Sequence, residues 1–250
     1  MFFGAGFFDA SGRNADEDIA LAVAGYAASR AQWEAFEIDW KKTLEGADIS
    51  YFRMSEFINN GGQFAGWRER QEDKRKLLRD LTSIIKERVE RAFGCVVLIR
   101  DFNAINSEYA LVERFVYPFT LAAYETMKRM HLWAAAERHM PILAIFEDGD
   151  EDRGQLIRLA RKELPEVLRP IFQPKSLPPL QAADIAAWDL RNTTVKSEQL
   201  AEYRLWRPSL ERIGMTRENY GIYKRDDLAL LCKKAGIPRR PIRRQRRKAK

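Results

Sequence analysis

The chain has 250 residues, of which 46% are hydrophobic and 11% aromatic, with a formal net charge of +7. That is enough apolar material for one α/β domain with a substantial core, and the absence of any apolar run of about 18 residues excludes a membrane-spanning helix. Met1-Phe2-Phe3 lacks the basic start, long apolar segment and small-residue cleavage site of a secretory signal, so a soluble cytoplasmic protein is expected.

The charge is unevenly spread. Lys233 to Lys250 holds ten Lys and Arg and no acid, which leaves 33 basic against 36 acidic residues in the rest of the chain. Cys95 and Cys232 lie far apart and fit free thiols in a reducing compartment better than a disulfide framework. His131 and His139 are the only histidines, and no Cys or His pair has the spacing of a zinc site.

In chain order, Phe7-Phe8-Asp9-Ala10-Ser11-Gly12 reads as a buried strand that delivers one carboxylate to the rim of a sheet and stops at Ser-Gly. Ile19 to Ala27 is apolar throughout and reads as a second, antiparallel strand. Ser29 caps a helix from Arg30 to about Leu44, with Trp33, Phe36 and Trp40 on one stripe. Ile49 to Met54 is expected as a third strand, followed by a turn at Asn59-Asn60-Gly61-Gly62. Arg70 to Arg91 has one apolar face and is an amphipathic helix, and Cys95 to Ile99 is β-branched and expected as a fourth strand.

A helical stretch from Ser107 to about His139 contains Pro118, which should kink or divide it. Ile142 to Phe146 is expected as a fifth strand ending in the acids Glu147, Asp148, Asp150, Glu151 and Asp152. Asp152 and Gln155 match a capping box for a helix from Arg153 to Leu164. Proline-rich connections lead to a last core helix, Leu180 to about Leu190, and Ser197 to Leu231 reads as less regular helix. The expected architecture is a mixed five-stranded sheet flanked by helices, with a helix inserted after strand two. The expected division is a ribonuclease H-like domain over 1–192, a helical extension over 193–236 and a disordered basic tail over 237–250. The element order is three strands, a helix, a strand, a helix, a strand and a terminal helix, which is the order of the ribonuclease H fold.

Asp184 sits in Gln181-Ala182-Ala183-Asp184-Ile185-Ala186-Ala187, where small apolar neighbours imply close packing. An ionised carboxylate there is costly unless a cation or hydrogen-bond donors meet it. Asp148 or Glu147 is the third candidate, because alternation along a strand brings only one of them to a given face. The Asp148-Asp150-Asp152 spacing imitates an EF-hand loop, but Arg153 and Leu159 stand where Gly and Glu are needed. Acids gathered from separate elements suit metal-assisted phosphodiester hydrolysis, in which two ions about 4 Å apart serve the attacking and departing oxygens. An oxygen-only donor set of this kind selects Mg²⁺ or Mn²⁺. Asp9, Asp148 and Asp184, with Glu147 as a further ligand, are therefore the expected centre, and Glu56 and Asp101 are additional candidates. Ser11 has no histidine partner for a triad, and no phosphate-cradling glycine loop is present.

Phe8-Asp9-Ala10-Ser11-Gly12, Phe146-Glu147-Asp148 and Pro178-Pro179-Leu180-Gln181-Ala182-Ala183-Asp184 together resemble the domain-of-unknown-function family numbered 3800, over roughly residues 6 to 192. The resemblance implies a ribonuclease H-like fold and a metal-dependent nuclease site at Asp9, Asp148 or Glu147, and Asp184, with Gln181 in support. The chain departs from that family's pattern at Ala10, where an acid is common, and at Arg53, where a His is common. The basic run Arg239, Arg240, Arg243, Arg244, Arg246, Arg247 and Lys248 is dense enough to neutralise several phosphates, so non-specific DNA or RNA binding is expected. Two alternatives remain open at this level: a non-catalytic nucleic-acid-binding protein and a hydrolase of a small phosphorylated compound.

Overall fold

A computed structural model describes residues 3–14, 19–149, 152–200 and 219–241. Its centre is β2 (Ala20–Ser29), ten residues that are apolar but for the terminal serine and buried at all but the last position. Only a strand covered on both faces reads this way. β1 (Gly4–Ser11) and β3 (Arg91–Leu98) flank it, both antiparallel. β4 (Leu143–Glu147) and the three-residue β5 (Ile171–Gln173) extend the sheet beyond β1, each parallel to its neighbour. The four-residue β6 (Tyr220–Tyr223) runs parallel to β3 at the other edge. The sheet is thus mixed and six-stranded, in the order β5-β4-β1-β2-β3-β6.

Alternation along β2 sorts the core into two layers. Ala22, Ala24 and Tyr26 face α1 (Arg30–Gly46), α3 (Gln71–Arg88) and α8 (Pro178–Leu200). Leu21, Val23 and Ala27 face α4 (Ile99–Glu108), α5 (Leu111–Phe115), α6 (Pro118–Trp133), α7 (Arg153–Glu163) and α9 (Arg225–Lys234). No helix among the described residues is long and apolar enough to cross a membrane.

Several expectations meet their structures directly. Ser29 caps α1 by accepting from Gln32 N, and Trp33, Phe36 and Trp40 are buried as one stripe. Pro118 takes the first position of α6, so the long helical stretch is divided there. It also begins earlier than expected, because Ile99 opens α4 rather than closing β3.

Other expectations are corrected. Ile49 to Met54 is not a strand: its amides are spent on side chains, Ser50 N donating to Gln63 Oε1, Phe52 N to Gln181 Oε1 and Met54 N to Asp184 Oδ2. The segment instead leads into α2 (Met54–Asn59). The expected five strands become six, through β5 and β6 in segments where proline and charge hide the pattern. Asp152 does not form the capping box; its side chain accepts from Asn14 instead of the helix amides. The boundary expected at 192 falls inside α8, and the chain beyond it contributes β6 to the sheet. Of the helix expected from Ser197 to Leu231, residues 201–218 lie outside the described residues.

The close approach of β1 and β2 rests on Gly25. A Cβ there would lie 1.8 Å from the Phe7 carbonyl oxygen, a backbone atom that cannot swing aside. Gly25→Ala should lower the unfolding free energy by about 3 kcal/mol in urea titrations, whereas Gly46→Ala, with nothing within 4 Å of the new methyl, should leave it within about 0.5 kcal/mol.

Candidate active site

The parallel strands β1, β4 and β5 end at one edge of the sheet, and three segments deliver polar side chains there. Asp9 lies two residues from the end of β1 on the face shared with Phe7, toward α8. It is 2% exposed. The short connection after β5 carries Lys175, and α8 carries Gln181 and Asp184 one turn apart, both buried. Ala182, Ala183, Ala186 and Ala187 are fully buried, and these small side chains let α8 approach the sheet closely enough to bring Asp184 over β1.

Lys175 joins the two acids. Its Nζ donates to Asp9 Oδ2 at 2.6 Å and lies 3.4 Å from Asp184 Oδ1, with a side chain only 16% exposed. Asp9 Oδ1 accepts from Ala10 N at 2.8 Å, and Asp184 Oδ2 accepts from Met54 N at 2.8 Å. Each carboxylate therefore spends one oxygen on backbone and turns the other to a shared cation. Burial pushes the Asp9 carboxyl up to about 8 against the pull of Lys175, with Asp184 and then Glu147 adding to the rise. Burial works against the Lys175 ammonium as well, but Asp9, Asp184 and Glu147 outweigh it and hold its pKa above that of an ordinary lysine.

Gln181 supports this arrangement from behind. Its Oε1 accepts from Phe52 N and Trp40 Nε1, while its Nε2 donates to Ser176 O beside Lys175. An aromatic column runs from Phe7 through Trp33, Phe36 and Trp40 to Phe52, with successive ring centroids 5.0 to 6.5 Å apart. It seats residues 49–54 against α8. The opening beside Lys175 is a cleft of about 260 Å³ lined by Tyr51, Phe52, Arg53, Lys175 and Ser176.

The remaining candidates divide. Phe8 pairs with Phe146 across β1 and β4, so Glu147 follows on the face of Asp9, and its charge is felt by both Asp9 and Lys175. Asp148 is corrected: it turns to the surface and pairs with Arg153. Ser11 lies two residues beyond Asp9 on the same strand face, half-buried. Glu56 accepts from the Tyr51 hydroxyl at 3.0 Å and supports the cleft wall rather than the acids. Asp101 accepts from Arg225 N at the start of α9 and pairs with Arg100, which makes it a helix cap. Arg239 and Arg240 are tied down at Tyr109 and Asn106, and Arg243, Arg244, Arg246, Arg247 and Lys248 lie outside the described residues.

Among the described residues no three Asp, Glu, His or Cys side chains gather closely enough to hold a metal ion. In place of the centre expected from Asp9, Asp184 and one of Asp148 and Glu147, the structure shows two converging aspartates with a lysine between them. The position between the two carboxylates is taken by the Lys175 ammonium, and an ion such as Mg²⁺, which needs only one or two protein carboxylates, would have to displace it. The residue that sequence reasoning missed is Lys175; its only signal is a single cation in Pro174-Lys175-Ser176, directly ahead of the helix that carries Asp184. The chain matches no protein-family model, no curated protein and no solved structure.

Two outcomes follow from the burial of this cluster. Lys175→Met leaves two buried carboxylates without their cation and should destabilise the protein by about 3–5 kcal/mol in chelator-treated samples. The Asp9 pKa rises from an unfolded value of about 3.9 to about 8, so the folded state holds its proton more tightly and stability falls as pH rises through that window. Asp9→Asn removes this term. Its melting temperature should gain most over the wild type near pH 8 and least near pH 4; parallel melting curves across that range would show that Asp9 does not titrate this way.

Proposed function

We propose that the chain is a ribonuclease H-like hydrolase of phosphodiester bonds in DNA or RNA, working with Mg²⁺ or Mn²⁺ held by Asp9 and Asp184. The observation that carries this reading is the convergence of one carboxylate from the first strand and one from the helix after β5 on a single cation position. The element order supports it too: β1, β2 and β3, then helices, β4, helix, β5 and the helix α8, with helices inserted after the second strand. That is the order expected for the ribonuclease H fold and for the family numbered 3800, although the segments expected as the fourth and fifth strands supply β3 and β4, and β5 comes from a segment not expected as a strand.

An ion held by Asp9 and Asp184 would supply activation of a water and stabilisation of the departing oxygen. The chain's own groups do the rest. Asp9 and Asp184 present from two rigid elements the oxygens that now face Lys175, each carboxylate being fixed through its other oxygen by a backbone amide. Gln181 fixes both the connection that carries Lys175 and the segment that lines the cleft. Arg53 and Lys175 give the cleft two cations suited to the phosphate of a strand lying across it, and Tyr51 offers a ring on which a base can stack. The basic residues from Arg243 onward extend the attraction for the backbone without sequence preference.

One observation favours a second reading, a nucleic-acid-binding protein without catalysis. Lys175 already partners both aspartates and can serve as their permanent counter-ion. The two readings separate in a cleavage assay with labelled single-stranded and duplex DNA and RNA in Mn²⁺. A hydrolase cleaves as wild type and loses at least about 100-fold in rate in Asp9→Asn and Asp184→Asn, while both variants still bind. Binding by all three proteins with no cleavage by any supports the second reading. Removing residues 242–250, which hold six of the ten basic residues at that end, should reduce the slope of log affinity against log salt by several units; an unchanged slope excludes the tail from binding.

A further inference from the structure

The opposite face of the sheet carries a second groove, between α6, β6 and α9, with a volume of about 560 Å³. Its size is that of a small-molecule site, and Asp9 faces away from it toward α8. Arg114, Lys128, Arg129 and Lys234 line it against the carboxylates of Glu125 and Asp227, and Glu163 pairs with Arg114 from outside the lining, which leaves a surplus of one positive charge. Most of these groups are already committed. Arg114 donates to Glu163 at 2.6 Å, Glu125 accepts from the Tyr223 hydroxyl at 2.8 Å with Lys128 at 3.9 Å, and Asp227 accepts from Lys224 N.

Arg129 is the exception. Among the described residues it has no hydrogen-bond or ion-pair partner, and its Nε is buried. The Arg114 Nε in the same groove is likewise buried and unbonded. Residue 221 of β6 is glycine, and a Cβ there would lie 2.7 Å from Arg129 Nη2, so the missing side chain is what lets the guanidinium lie against the strand. A half-buried guanidinium whose Nε makes no hydrogen bond is costly, because buried N–H donors as a rule have partners. Phe115, Leu230 and Leu231 supply apolar wall beside it.

We propose that this groove binds a small phosphomonoester, with Arg129 as the anchor for its phosphate. The phosphate supplies the negative charge that the unbonded guanidinium lacks, its oxygens suit a guanidinium fork, and the apolar wall takes the organic part. The site is separate from the Asp9–Lys175–Asp184 cluster and stands whether or not the chain cleaves nucleic acid.

Calorimetric titration of the full chain with inorganic phosphate, adenosine 5′-monophosphate and uncharged adenosine tests this. The nucleotide or phosphate should bind and adenosine should not. Arg129→Gln should weaken binding at least tenfold, and Gly221→Ala, which displaces the guanidinium without removing it, should weaken it severalfold. Without ligand, Arg129→Gln should melt at the same temperature as wild type or higher, because it removes an unpaired charge. Failure of both phosphate compounds to bind, equal binding of adenosine, unchanged affinity in Arg129→Gln, or a ligand-free melting temperature lowered by Arg129→Gln would each overturn the proposal.

Discussion

One acid–base cluster in a water-poor space holds the arrangement together: the Lys175 ammonium between Asp184 and Asp9, whose buried carboxyl is far harder to ionise than that of an ordinary aspartate. Removing two carboxylates from water costs far more than a surface ion pair returns, so the fold must supply compensation from several directions at once. The amides of Ala10 and Met54 take one oxygen of each acid, and the ammonium takes the others. These partners come from β1, the entry to α2, the connection after β5, and α8. Elements up to 175 residues apart in the chain, from Asp9 to Asp184, are thereby drawn to one point at the end of the parallel strands. The chemistry of such a site follows from the same facts that make it expensive: it is a place where a cation is needed and water is scarce.

Much of this was legible in the sequence because it rests on local pattern. A carboxylate closing an apolar run at Phe8-Asp9, and another set among alanines at Ala183-Asp184-Ile185, are anomalies visible without coordinates. The stripe of Trp33, Phe36 and Trp40 and the split at Pro118 are similarly local. What stayed hidden depends on partners distant in the chain. Ile49 to Met54 has the composition of a strand, but its amides bond to Gln63, Gln181 and Asp184, and no window of residues reveals that exchange. β5 is too short for a period to register, and Lys175 is one lysine among prolines. Asp148 and Glu147 look equivalent in the sequence; the pairing of Phe8 with Phe146 decides between them.

Gln181 shows how closely packing and site are joined. It is a single amide whose oxygen takes both the Phe52 amide and the Trp40 indole, while its nitrogen holds the backbone at Ser176. The aromatic column from Phe7 to Phe52 is therefore a spacer as well as a core: it sets how far the cleft wall stands from the helix that carries Asp184. The free thiols Cys95 and Cys232 are both fully buried and belong to the opposite layer, apart from this machinery.

The sheet ends on one side with the three residues of β5 and on the other with the four of β6. An edge that short offers a neighbouring molecule few unpaired amides in register, so two copies gain little by joining their sheets.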